Sequence, residues 1–503
     1  MKLPLISGAL AVCLLSACSA PQVREVPREK APEQWQANKE GAEVSHGFIQ
    51  NESPEVNSRL PWWQTLQEPL LNRLIEEAIR ANPDVLSAQS AIRQARAYRK
   101  QANAALLPTV SASGAFSTSR NHDTNVTTDA YSAVVDASWE PDVFGANRSS
   151  LSAADAELSA AQADFADTLV SLSAEVAKYY ISLRSTQAQL AITEESLSSW
   201  REALQMTTWQ ADAGQVSQLD VEQARRSYQQ TIATLPPLRQ SILESQHQLA
   251  VLLGRQPGDL PTGLSDISAL PATPDSIFLP LPSEVLRQRP DVRAAEQRVL
   301  AAMAQTDVAK ANLLPSFALG GRLGWGASNL SDLFNIGSLV SSLSASVAQT
   351  LFDGELRQGQ LDAQQETEAQ AVLQYRKTVL SALQETENAL ANLQHSRETY
   401  LALESALQTS REEEKLALIQ YQAGELDFSD VMDAQRTRLS LRKQSVEAHA
   451  SELAQVITLS KAIAGHWAMQ QADETEDSKN TTENYAASVH KTAEVEEVSH
   501  AKR

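Results

Sequence analysis

Apolar positions recur along this chain with two different periods. Tyr131, Ala133, Val135, Ala137 and Trp139 alternate with Ser132, Asp136, Ser138 and Glu140, the two-residue period of a strand whose faces differ. Phe317, Leu319, Leu323 and Trp325 alternate in the same way with Ser316, Gly320, Arg322 and Gly324, and the segments Thr109 to Ser117 and Leu343 to Leu351 do so more weakly. Four strands are predicted, at about 107–118, 130–143, 314–326 and 339–353. After each strand pair the period lengthens to seven. Leu151, Leu158, Phe165, Leu172 and Tyr179 form one row, and Leu169, Val176, Leu183, Leu190, Leu197 and Leu204 a second. Val372, Val379, Leu393, Tyr400 and Leu407 form a third, less regular one. Such rows are coiled-coil seams, so helices are expected from Ser149 to about Gln210 and from Glu355 to about Tyr421. At ~1.5 Å per residue each would reach on the order of 90–100 Å. Gly214 and Gly424 suit left-handed caps after which a second helix returns, giving helical hairpins over about 149–254 and 355–464.

The whole pattern occurs twice. Asn82-Pro83-Asp84-Val85 recurs as Arg289-Pro290-Asp291-Val292 and Leu106-Leu107-Pro108 as Leu313-Leu314-Pro315, both offset by 207 residues. Phe144-Gly145 with Arg148 matches Asp353-Gly354 with Arg357 at 209, and Ala213-Gly214 matches Ala423-Gly424 at 210. Landmarks that keep their order with so slow a drift mark two copies of one unit. The copies are assigned to residues 60–256 and 283–466, joined by a Pro-rich linker at 257–282. Each copy should open with a helix that stops at Leu-Leu-Pro, because proline lacks an N–H and disfavours helical geometry before it.

A soluble sheet with one buried face would alternate too. The N-terminus shifts that balance. Residues 1–17 read as a signal peptide, and Leu15-Ser16-Ala17-Cys18 has the form of a lipobox whose cysteine becomes the acylated N-terminus of a lipidated segment over 18–59. Beyond it the chain has nothing close to the ~20 apolar residues of a spanning helix. An exported lipoprotein of this kind is held by lipid alone or crosses a membrane by strands. Four strands are too few to close a barrel, which needs about eight, so closure would come from several chains.

Of the 503 residues only 5% are aromatic, and the excess of acids gives a net charge of −20, which opposes binding to nucleic acid. With Cys18 the sole cysteine left after cleavage, disulfides and cysteine metal sites are excluded. The eight histidines lack ligand spacing, and no G-x-S-x-G, phosphate-loop lysine or C-x-x-C occurs, so neither catalytic residues, a cofactor nor a metal is expected. The tail at 467–503 is acidic, aperiodic and expected to be disordered. The candidate chemistry lies at the hairpin turns. The return helices open with Ser217-Gln218-Leu219-Asp220 and Asp427-Phe428-Ser429-Asp430, where Asp220 and Asp430 have the spacing of capping-box acids. Asp433 lies one turn beyond Asp430 on the same face, so a symmetric assembly could instead stack the two acids as carboxylate rings. The first copy has Gln223 at the corresponding position.

Arg289-Pro290-Asp291-Val292 with Ala294-Ala295-Glu296, Leu314-Pro315-Ser316, Leu351-Phe352-Asp353-Gly354, and Tyr421-Gln422-Ala423-Gly424 followed by Asp430-Val431-Met432-Asp433-Ala434-Gln435 resemble the bacterial outer-membrane efflux protein family, or outer membrane factors, of the TolC and OprM type. The lipobox is similar to that of the branch serving resistance-nodulation-division pumps. The resemblance implies an α+β membrane fold: a homotrimer in which each chain gives four strands to one outer-membrane barrel, continued by a long periplasmic α-helical coiled-coil barrel. It further implies a passive duct of a tripartite efflux pump, exporting drugs or other small toxic compounds, with outer-membrane lipid, a periplasmic adaptor (membrane fusion protein) and an inner-membrane pump as partners. By similarity Asp430 and Asp433 match a pore-facing acidic gate, and Tyr421 and Asp220 its interhelix network. Leu426 stands where some relatives carry a basic residue of that network. The turns at Gly214, Gln215, Gly424 and Glu425 are the expected adaptor contacts. The alternative is a periplasmic coiled-coil adaptor or scaffold lipoprotein, which should show one hairpin in a lipoyl-like domain and no duplicated strand pairs.

Overall fold

The computed structural model describes residues 26, 31–35, 48–49, 61–123, 125–274 and 277–463; Cys18, its signal sequence and the acidic tail lie outside them. Its elements, in chain order, are β1 (Phe48–Ile49), a 3-10 turn (Trp62–Leu66), α1 (Pro69–Ala81), α2 (Pro83–Ala104), β2 (Thr109–Asn121), β3 (Val126–Trp139), α3 (Ala146–Asp212) and α4 (Gln218–Leu252). The second copy follows with β4 (Ile277–Phe278), α5 (Pro282–Gln288), α6 (Pro290–Ala311), β5 (Ser316–Ala327), β6 (Leu339–Ala348), α7 (Leu356–Gln422) and α8 (Phe428–Ile463). At 67 residues each, α3 and α7 run for about 100 Å. The chain divides into two compact units, one taking in Ser90–Gln162 and Arg293–Thr378, the other Ala163–Val292 with the described parts of Lys30–Gln89 and Val379–Arg503. Among the described residues no helix is long and apolar enough to cross a membrane.

In the first unit the strands form one antiparallel sheet in the order β2-β3-β5-β6. The register decides what each face is made of. Val110, Ala112 and Phe116 pair with Ala137, Val135 and Tyr131; Ala133, Val135 and Trp139 pair with Trp325, Leu323 and Leu319; and Phe317, Leu319 and Trp325 pair with Val347, Ala345 and Leu339. Because side chains alternate, these residues all lie on one face, apolar across every strand. The opposite face carries Ser111, Ser113, Ser132, Ser138, Ser342, Ser344 and Ser346, with Asp136 paired directly across from Arg322 at 2.7 Å. Gly324 is obligatory on that face, because a Cβ there would lie 2.4 Å from the carbonyl oxygen of Ala133. Aromatic contacts flank the apolar band: Phe116 on Tyr131 and Trp325 on Phe334 towards the loops, Phe144 on Phe317 towards the helices. Tyr131 and Trp139 are about 26 Å apart along β3 at ~3.3 Å per residue, shortened by any tilt, close to the ~25 Å lipid-facing band of outer-membrane barrels.

The strand limits differ from the sequence expectation. The first hairpin is longer, because β-branched Thr127 and Thr128 pair with Arg120 and Ser119 and the chain turns only beyond Asn121, with Asn125 at φ 55°. At the other end β3 stops at Trp139, since Pro141 cannot continue a ladder, and β6 stops at Ala348, opposite Ser316 where its partner strand begins. The opening helix of each copy is also not one helix but two. Asn82 and Arg289 are extended, and Pro83 and Pro290 start fresh helices at N1. In each copy that extended residue donates to the end of its own return helix: Asn82 Nδ2 to the Leu252 carbonyl at 2.9 Å, Arg289 Nη1 to the Ala462 carbonyl at 3.5 Å. The strand-to-helix junctions repeat as well. Trp139 Nε1 donates to the Leu106 carbonyl and Gln349 Nε2 to the Leu313 carbonyl, at 3.0 and 3.1 Å. The duplication is thus carried by backbone acceptors at matched positions, served by different side chains.

In the second unit the seven-residue rows are buried where they were expected, at Phe165, Leu169, Leu172, Val176 and Leu183, but Tyr179 is exposed and Tyr180 takes its place. A straight helix drifts about 20° per heptad against a strict seven-residue row, so the seam moves to the neighbouring residue. Arg184 holds the linker through bonds to the Gly263 and Asp266 carbonyls, while Gln187 Nε2 donates to the Leu264 carbonyl at 2.8 Å. Trp35 is buried among Leu279, Val285, Leu390, Leu393, Val456 and Leu459, its Nε1 donating to the Pro280 carbonyl at 2.9 Å. Beside it β1 pairs in parallel with β4. Arg289 bridges Asp291 and Glu385, each at 2.7 Å. Burial pulls its guanidinium pKa down, but the hydrogen bonds and charges of those two carboxylates outweigh that and hold it above the ordinary value.

Candidate functional site

The two hairpin turns are built alike from local hydrogen bonding. α3 ends with Gly214 at φ 74°, the Gly214 N–H donating to Ala211 O and the Gln215 N–H to Gln210 O. α7 ends with Gly424 at φ 78°, and the Gly424 and Glu425 N–H groups donate to Tyr421 O and Gln420 O. Both are Schellman caps, which need a residue at positive φ, and glycine reaches it without Cβ strain. Nothing lies within 4 Å of a Cβ built on either glycine, and Gln215 and Glu425 are exposed, so both turns present free surface.

The return helices start differently. At α4 the capping box is complete: Ser217 N and Oγ both donate to Asp220 Oδ2, at 2.9 and 2.7 Å, and Asp220 N donates back to Ser217 Oγ. At α8 only half of it forms, the Asp427 N–H reaching Asp430 Oδ2 at 3.3 Å. Asp433 is exposed and paired with Arg436 on its own helix. The two second-copy acids therefore sit one turn apart on an exposed face, neither engaged with the first hairpin.

Tyr421 makes one of the contacts between the hairpins. Its hydroxyl shares hydrogen bonds with the Gln210 side-chain amide at 3.1 and 3.3 Å, and its ring packs on Phe428 at 5.5 Å. Tyr421 and Asp220, expected in one network, thus have separate partners. Leu426 packs with Tyr421 on Ala417, Val431 and Ala434, so its contact is apolar. Beneath it Trp200 and Ala203 of α3 and Ala224 of α4 are buried against Phe428 and Met432 of α8. Higher up, Arg442 pairs with Glu195 at 2.7 Å, again joining α8 to α3. Gln210, Trp200, Phe428 and Met432 escaped the sequence reading, because each is an ordinary helical residue by type. The available signal was the alignment of the two copies, in which Phe428 stands opposite Gln218, Met432 opposite Glu222 and Trp200 opposite Ser410.

Among the described residues no group of His, Cys, Asp and Glu is arranged to hold a metal. The arrangement is mechanical: stiff helical hairpins, open turns, exposed acids, and a hydrogen bond, an apolar cluster and an ion pair that join one hairpin to the other. Comparison with known proteins agrees in fold and extent. The family model described as "Outer membrane efflux protein" matches residues 74–255 and 281–465, one match on each copy. The chain is 30% identical over 481 residues to the toluene efflux pump outer membrane protein TtgF of Pseudomonas putida, covering 93% of this chain and 98% of that one. It is 31% identical over 418 residues to the pyoverdine export outer membrane protein OpmQ of another Pseudomonas putida strain, covering 81% and 88%. The solved structure of the outer-membrane channel OprN superposes with a TM-score of 0.80 at 30% identity, covering 90% of this chain and all of that one.

Proposed function

Since the chain belongs to the outer membrane efflux protein family, it is an outer-membrane channel of an efflux pump and not an enzyme, and we propose that it serves as the exit duct for small organic toxic compounds. It resides in the outer membrane, extends into the periplasm and is trimeric, three four-stranded sheets closing one barrel. A periplasmic adaptor, the alternative its helices suggest, falls away with the family match.

The observation that carries the reading is the two-faced sheet. In a lone chain β2 and β6 leave an edge of unpaired backbone groups, which lipid does not tolerate, and joining such edges between copies removes every one of them. The apolar face then meets lipid. The Asp136–Arg322 pair faces the lumen, since an arginine on the lipid face near mid-membrane costs ~2–4 kcal/mol.

Cargo selection belongs to the pump, and the relatives named for toluene and pyoverdine support small organic molecules as cargo. The pump is read as resistance-nodulation-division type. The exposed turns at Gly214, Gln215, Gly424 and Glu425 are the adaptor contact, and Asp430 and Asp433 form the acidic gate, with Tyr421 bracing the helices beside it and Asp220 capping α4. Cys18 is acylated and adds a lipid anchor; mass spectrometry finding an unmodified mature N-terminus would refute this. Deletion of the gene should raise cellular accumulation of aromatic solvents and amphiphilic drugs, and the intact gene should restore efflux. Unchanged accumulation of all of them in the deletion strain would refute the cargo class and leave the channel assignment standing.

A further inference from the structure

The two copies match in their backbone contacts but not at the turns, and the mismatches fall together in space. Phe428, Met432 and Trp200 replace Gln218, Glu222 and Ser410 of the opposite copy, and all three large apolar side chains meet in one buried cluster with Ala203 and Ala224. Gln218 and Glu222 are exposed, so the first hairpin has nothing equivalent to offer. Phe428 is 8% and Trp200 3% exposed, although Glu425, Asp427 and Asp430 beside the one and Ser198, Ser199, Arg201 and Glu202 beside the other are exposed. Phe428 is also the first residue of α8, so its side chain fixes the point at which the return helix leaves the turn. By contrast the polar contacts of the acids beside it are local: Asp220 with Ser217, Asp430 with the Asp427 backbone, Asp433 with Arg436. None of these contacts ties one hairpin to the other.

We infer that the closed state is latched by this apolar cluster, with Phe428 seated between the first hairpin and Met432 as a hydrophobic bolt, the Tyr421–Gln210 hydrogen bond serving only to orient it. This rests on the reading of the turns as the gate and of the arrangement described as its closed form. Moving the second hairpin away from the first must unseat Phe428 and expose Trp200, and the cost of wetting those rings keeps the gate shut. Seating is not restricted to one ring shape, so a large aliphatic side chain at 428 keeps much of the latch.

The test is leak through the assembled trimer, read as single-channel conductance in planar bilayers and as uptake by cells of a hydrophilic dye too large for general porins. Phe428→Ala should shift the closed-to-open ratio by roughly two orders of magnitude, the scale on which emptying a buried aromatic site acts. Phe428→Leu should largely restore closure, and adding Trp200→Ala to Phe428→Ala should add little, since the bolt is already gone. Leu453→Ala controls for fold damage: it empties a fully buried site on α8 outside this cluster and should lower thermal stability without leak. Leak from Tyr421→Phe with none from Phe428→Ala would overturn the inference and keep the gate. No leak from Phe428→Ala, Tyr421→Phe or the Asp430 and Asp433 variants would overturn the gate reading itself.

Discussion

The acids at the turns offer a test in which stability and conduction separate, because the structure gives them unequal structural work. Asp220 completes a reciprocal capping box with bonds of 2.9 and 2.7 Å, so Asp220→Ala should cost about 1 kcal/mol per protomer, tripled in a trimer that unfolds as one unit. Asp430 accepts one longer bond, 3.3 Å from the Asp427 N–H, and Asp430→Ala should cost about 0.5 kcal/mol. Asp433 has only a surface pair with Arg436, its side chain 66% exposed, worth ~0.2–0.5 kcal/mol. Alanine at a helix-interior position returns about as much through propensity, so Asp433→Ala should leave stability unchanged. Thermal unfolding of the detergent-solubilised trimer measures that order. Planar-bilayer recordings should give the reverse: Asp433→Ala, and more so the double Asp430 and Asp433 variant, should weaken cation preference and block by multivalent cations, while Asp220→Ala should not. A full multivalent block in Asp433→Ala with Asp430→Ala would refute the acidic gate and leave the acids as caps and surface charges.

Trp35→Ala should destabilise the protein by about 3–5 kcal/mol, since it empties a buried indole site and leaves the Pro280 carbonyl unpaired; denaturant unfolding measures this, and a change below ~1 kcal/mol would show that the segment is not fastened there. Val135→Arg, on the apolar face midway between Tyr131 and Trp139, should lose ~2–4 kcal/mol of barrel stability and most outer-membrane insertion, whereas Ser113→Arg on the other face should insert normally; equal insertion would contradict the face assignment. Burial raises the Glu452 carboxyl pKa, with Arg397 at 4.0 Å opposing it, so this group's stabilising contribution is present below its unfolded pKa and lost as pH rises through the folded one. Burial lowers the pKa of His449, stacked on Tyr400 at 4.8 Å, so its contribution is present above the unfolded value and lost as pH falls through the folded one. Accordingly Glu452→Gln should raise the unfolding temperature at pH 7 and have no effect under strongly acid conditions, and His449→Gln should flatten the loss on mild acidification; pH-resolved melting curves measure both.

The strands, long helices, turns and duplication were legible in the sequence because each follows from local rules. Alternation sets strand faces, proline stops helices, and glycine at positive φ closes the turns. The two Schellman caps and the Asp220 capping box formed from residues within a few positions of one another, which is why spacing sufficed to find them. Local rules could not decide which seam residue turns inward after several heptads, and the burial of Tyr180 in place of Tyr179 shows the accumulated drift of a real helix. Nor could they pair Tyr421 with Gln210, 211 residues away, or choose the Asp136–Arg322 register across β3 and β5. Those contacts join segments whose positions are set by the packing of the whole chain. Phe428 is the sharpest case. Its type and spacing mark an ordinary helix start, and only the arrival of Trp200 from the other copy makes it part of a core, because burial is a property of the assembled surface and not of the residue.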